Sequence, residues 1–143
     1  MITNERQYRI TKAEITRFEQ SLSHADEQGR DYLHPDLQQA MREGLESQLQ
    51  ELREEVADYE GLRTGKITSL EFDSLASVPI GLIKARIAKG LTQKELAESL
   101  DLKEQQIQRY EATLYEGAGL DRIQEVANAL GMRELVRLEF SKA

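Results

Sequence analysis

Apolar residues recur at helical spacing along most of this chain, and the places where the spacing breaks divide it into parts. From Pro35 a single helix is predicted to about Arg63, carrying Leu37, Met41, Leu45, Leu49, Leu52, Val56, Tyr59 and Leu62 along one side. Pro35 suits a first helical turn, where its missing amide costs nothing. From Leu45 onward the steps are four, three, four, three and three, close to a heptad seam. At about 1.5 Å per residue this helix is roughly 43 Å long. Ahead of it, Thr11 with Glu14 reads as a capping box that opens a helix to about Ala25, with Ile15, Phe18 and Leu22 on one face. The strip Gln7 to Ile10 alternates and reads as extended, and His24 to His34 lacks periodicity and reads as a loop. A first helix of half the length covers only part of the long stripe. The expected product is a helical hairpin with a coiled-coil-like seam of Leu45, Leu49, Leu52, Val56 and Tyr59 left over. That seam serves either self-association, the preferred reading, or docking of another protein.

Thr64-Gly65-Lys66 ends the long helix, glycine supplying a left-handed cap. Ile67 to Phe72 alternates and reads as linker or short strand. Four helices are then predicted at roughly 79–89, 93–100, 103–113 and 120–130, the last with Leu120, Ile123, Val126, Ala127 and Leu130 on one side. A short terminal helix with Leu135 and Leu138 completes the core. The expected fold class is all-α: a helical hairpin over 1–63 for oligomerisation or partner binding, a linker or strand over 64–78, and a compact helical domain over 79–143.

Within that domain the run TQKELAESLDLKEQQIQRY, Thr92 to Tyr110, is the most informative. Thr92 and Glu95 form a capping box, and Leu96, Ala97 and Leu100 make a buried face. A corner follows at Asp101 and Leu102. The next helix hides Ile107 and Tyr110 and turns Glu104, Gln105, Gln106 and Arg109 outward. Two short helices crossing steeply through such a turn can lay the second in a DNA major groove.

Residues 79–132 resemble the helix-turn-helix domain of phage-repressor-like regulators of the Xre or Cro type. The likeness rests on Gln93, Ala97, Leu102, Ile107 and Tyr110, on RIAKGLTQKELAE (Arg86 to Glu98), and on VANALG (Val126 to Gly131). It departs at the turn, where Asp101 stands in place of glycine. The turn needs φ > 0, which aspartate tolerates at the cost of local strain. The resemblance implies base contacts from Glu104, Gln105 and Arg109, with Gln106 slightly round the helix. Glutamine pairs with adenine, arginine with guanine, and glutamate accepts from cytosine. It implies phosphate contacts at Thr92 and Gln93, assisted by the charges of Lys94 and Lys103. It also implies a structural ion pair between Arg86 and Glu111.

The net charge of −7 looks unfavourable for such a partner until its distribution is followed. Residues 1–78 hold nine basic and sixteen acidic side chains, whereas residues 79–143 hold ten of each. The C-terminal part can still gather Lys84, Lys89, Lys94, Lys103, Arg109 and Arg122 on one surface, and phosphate attraction follows the local surface as well as the total.

An enzyme is not expected. The two histidines, His24 and His34, stand ten apart without a matching acid cluster, Gly117-Ala118-Gly119 lacks the lysine of a phosphate loop, and Glu54-Glu55 point in divergent directions. No metal or cofactor is expected. Cysteine is absent, and no apolar run approaches the roughly 20 residues that span a membrane, so the chain is expected in the cytoplasm and away from membranes. The resemblance implies a dimeric repressor on a palindromic operator of double-stranded DNA. Many family members of this size are antitoxins that repress their own operon, and the acidic extension suits masking of a basic toxin protein. The rival is a protein-binding adaptor whose long N-terminal helix carries the function.

Overall fold

The structure is a computed structural model, which describes residues 1–27 and 34–141. The chain separates into two compact units, Met1–Thr68 and Ser69–Ala143. Among the described residues it is all-helical, and no helix is long and apolar enough to cross a membrane.

Helix α1 (Glu5–Glu27) pairs with α2 (Pro35–Arg63) to make the first unit. Helix α1 begins well before Thr11. Asn4 Oδ1 accepts from the Gln7 amide at 2.9 Å, and Gln7 Oε1 accepts from the Thr3 amide at 2.8 Å. Asn4 thus caps the helix start that Thr11 was expected to cap, while Gln7 reaches back to Thr3, and the strip 7–10 is helix rather than strand. Thr11 is a buried mid-helix residue. The extra turns also put His24 on α1; most of the expected loop beyond it lies outside the described residues. His34 caps α2 by accepting from the Asp36 amide at 3.2 Å.

The longer α1 changes the reading of the seam. Leu49, Val56 and Tyr59 are buried inside the hairpin of a single chain, with Leu45 and Leu52 half-buried. Tyr8 stacks on Tyr59 at 5.1 Å and its hydroxyl meets Glu60 at 2.5 Å, while Arg53 meets Glu19 at 2.8 Å. The three buried seam residues are not free for a second chain while the hairpin stands. Leu37 and Met41, nearer the start of α2, remain exposed instead.

Gly65 closes α2 at φ 74°. The segment after it forms no strand. Ile67 donates its amide to the Gly61 carbonyl at 3.0 Å and lays its side chain where a Gly61 Cβ would stand. Phe72 lays its ring against Gly81, where a Cβ would meet it at 2.8 Å. Each side chain docks on a helix through a glycine, which removes the need for a partner strand.

The second unit opens with a 3-10 turn, Leu75–Ser77, and packs α3 (Val78–Ala88), α4 (Gln93–Ser99), α5 (Glu104–Ala112) and α6 (Leu120–Ala129) around Leu82, Ile83, Leu96, Ile107, Val126 and Leu130. Helices α3, α4 and α6 each end with the second residue past the cap donating back into the last turn: Leu91 to Arg86, Leu102 to Ala97 and Met132 to Ala127. This closure puts the residue after the cap in the left-handed region. Gly90 and Gly131 fill it without cost, and Asp101 fills it at φ 55°.

Two further expectations fail in this unit. Leu120 is 74% exposed and lies outside the core. Beyond Gly131 no terminal helix forms; residues 132–141 are without helix or strand. Their sequence alternates apolar and polar from Val136 to Phe140, a period of two that cannot present one helical face.

Candidate nucleic-acid interface

Helix α4 starts as its sequence dictates. The Glu95 amide donates to Thr92 Oγ1 at 3.1 Å, and the Thr92 amide donates to Glu95 Oε2 at 2.7 Å. The Thr92 amide and, at 3.0 Å, the Thr92 hydroxyl both donate to this carboxylate and hold it below its ordinary range. A lowered carboxylate pKa stabilises the fold above the unfolded value, and the benefit is lost as pH falls through the lowered one. Acidification is therefore expected to loosen the start of α4 before the core opens. An NMR titration following the Thr92 amide checks this: its shift should report a carboxylate titrating below the usual glutamate range.

From the tight corner at Asp101, α5 leaves with its first turn satisfied by Gln106, whose Oε1 accepts from the Lys103 amide at 3.0 Å. Its inward side is Ile107 and Glu111, with Tyr110 half-buried. Its outward side is Glu104, Gln105, Gln106, Gln108 and Arg109, all exposed. Gln105 and Arg109 stand one turn apart on the face opposite Ile107. Glu104 accepts from Gln108 at 3.2 Å. Gln108 joins this exposed side, and the sequence reading did not single it out. Its four-residue spacing from Glu104 was the available signal.

What fixes this helix in place is a buried polar cluster. Arg86 on α3 is 3% exposed and Glu111 on α5 is 5% exposed, and they meet as a fork, Nε to Oε1 at 2.6 Å and Nη2 to Oε2 at 2.8 Å. Arg86 Nη1 also donates to the Leu91 carbonyl at 2.8 Å. A third donor reaches the carboxylate, Gln93 Nε2 at 2.8 Å, from the first turn of α4. One carboxylate therefore ties together α3, α4 and α5, and planar guanidinium is the group suited to such a fork. The cluster refines the expected role of Gln93. One hydrogen of its side-chain amide is committed to Glu111, which leaves the second and the backbone N–H to face a phosphate.

Past α5 the chain takes two successive left-handed residues, Leu114 at φ 51° and Tyr115 at φ 58°, neither of them glycine. The turn folds Tyr115 back over Tyr110 with ring centroids 5.4 Å apart. The Tyr115 hydroxyl is buried without a hydrogen-bond partner among the described residues, and burial, aided by the nearby Glu111 charge, pushes its pKa up. Stacking at the end of α5 adds a second brace to the helix.

The helix-turn-helix family model matches residues 82–137. The C-terminal unit is a helix-turn-helix domain of the Xre/Cro type. Comparison with curated proteins and with solved structures finds no match. The family is one of DNA-binding transcription regulators, and the matched domain supports that role for this chain. Within the domain Thr92 and Lys94 stand exposed at the start of α4, and Lys103 at the start of α5. The hairpin of α1 and α2 falls outside the matched residues. Among the described residues, no cluster of histidine, aspartate and glutamate could hold a metal.

Proposed function

We propose that this protein is a sequence-specific repressor that binds a palindromic operator as a homodimer and, as an autoregulating antitoxin, pairs with a toxin protein. The observation that carries the DNA part is the exposed polar face of α5 held rigid from behind by Arg86, Glu111 and Gln93. Glu104, Gln105 and Arg109 read base edges, with Gln108 beside them, and Thr92, the Gln93 amide, Lys94 and Lys103 hold phosphates. The antitoxin part is supported by charge. The acidic excess lies wholly in residues 1–78, and the start of α2 exposes Leu37 and Met41 close to Glu43 and Glu46. An acidic surface with an apolar centre suits a basic partner. A domain with no net charge of its own gains little from phosphate attraction alone, so base contacts and pairing of two domains carry more of the affinity.

The test is a gel shift with the DNA upstream of the protein's own gene across a series of salt concentrations. Arg109→Ala is expected to cost about 1–3 kcal/mol and to relax one position of the site, whereas Lys103→Ala should weaken every sequence alike and flatten the salt slope. Intact affinity in the double variant means that α5 does not enter the groove. A co-purified small basic protein supports the toxin pairing; an acidic or neutral partner would favour an adaptor acting through α2.

A further inference from the structure

The most exposed apolar side chains of the chain lie in a row after α6. Leu135, Val136, Leu138 and Phe140 are 84%, 69%, 74% and 95% exposed. No backbone hydrogen bond within the chain is made by residues 133–141 among the described residues. An alternating segment with unused amides and carbonyls is a template for strand pairing. Arg137 and Glu139 meet on one side at 2.7 Å, so the alternation is real in space, with Val136, Leu138 and Phe140 on the other side.

The order of these residues identifies the partner. Folded about Leu138 in an antiparallel pair with a second copy, Arg137 faces Glu139 and Glu139 faces Arg137. On the opposite face Val136 meets Phe140, and Leu138 meets itself. Opposite charges directly across a ladder stabilise it and like charges destabilise it. A parallel in-register pair would set arginine on arginine and glutamate on glutamate. We infer that residues 135–140 form a two-stranded antiparallel ribbon with the same segment of a second copy, its two-fold axis at Leu138, and that this ribbon holds the dimer. Such a contact is isologous and closes on itself. A bare two-stranded ribbon is marginal, so burial of its apolar face across the two copies has to carry it. Gln124 Nε2 donates to Glu134 at 3.1 Å, which ties the start of the segment to α6. The inference rests on the dimeric reading proposed above and supplies its contact.

Charge exchange in the full-length protein tests it, read by sedimentation equilibrium without DNA. Arg137→Glu places glutamate against glutamate, and Glu139→Arg places arginine against arginine. Each is expected to weaken the dimer about tenfold, and the double exchange should restore it. All three change exposed side chains outside the core, so the helical signal should not move. Leu138→Cys, in a chain with no other cysteine, should oxidise to a covalent dimer, since facing residues stand about 4.5–5.5 Å apart, within disulfide reach. Single exchanges that dimerise like the parent, or a Leu138→Cys protein that stays monomeric on oxidation, overturn the ribbon. Because association is measured without DNA, a lost gel shift with the dimer intact counts against the proposed function alone.

Discussion

Glu111→Ala is expected to destabilise the C-terminal unit by about 3–5 kcal/mol, because it strands a guanidinium that is almost wholly buried. For a unit of this size that is a fall in Tm of roughly 12 °C or more. The loss has three parts on the structure: the Arg86 fork, the Gln93 donor, and the tether between α3, α4 and α5. Gln93→Ala removes one donor and leaves the fork, so it should cost only about 1–2 kcal/mol. Replacing both ends of the pair with Met and Leu should recover much of the stability lost in the single variant, since an apolar pair avoids the stranded charge. DNA affinity should fall in Glu111→Ala although no base-reading side chain has changed, and should not return in the apolar pair to the extent that stability does. Calorimetry on the three variants, with gel shifts beside it, decides the matter. A Glu111→Ala protein that melts with the parent would mean that the fork is not formed in solution.

The C-terminal unit was the legible part of the sequence because its signals are local and redundant. Thr92 and Glu95 mark a helix start three residues apart, and the left-handed turn at Asp101 was demanded by the steep corner. Helices α3 to α6 fall within a residue or two of their expected limits. The hairpin misled for a different reason. Two polar residues compete for its cap, Asn4 and Thr11, and only the first takes it, accepting from the Gln7 amide. Choosing the second shortened α1 and left a seam that α1 in fact covers.

Other features were illegible because they depend on contacts distant in sequence or on conformations that sequence disfavours. The docking of Ile67 on Gly61 and of Phe72 on Gly81 turns an alternating segment into a connection. Leucine and tyrosine at positions 114 and 115 give no hint of a left-handed pair, which the stacking of Tyr115 on Tyr110 supports. In the candidate interface the outward residues of α5 followed from its period. The diversion of the Gln93 side chain to Glu111 did not, because it requires knowing where the end of α5 comes to rest.

The second large effect is expected in the hairpin. Leu49→Asp with Val56→Asp puts two charges, two turns apart on α2, into a position now filled by α1. Neither carboxylate has a buried cation to meet. Charges paired between α1 and α2, Arg53 with Glu19 and Lys12 with Glu60, are exposed and already committed to each other. Each buried carboxylate costs several kcal/mol or takes up a proton. A two-helix unit has too small a core to absorb that. The hairpin should therefore open, and because α1 and α2 hold more than half of the helical residues, the far-UV helical signal should drop by a large fraction. The C-terminal unit should keep its own cooperative melt and its affinity for DNA half-sites, since it is compact by itself with a core of its own. Lowering the pH should partly restore the hairpin as the introduced aspartates protonate. An unchanged signal would place Leu49 and Val56 at the surface, and a simultaneous loss of both transitions would show that the two units fold as one.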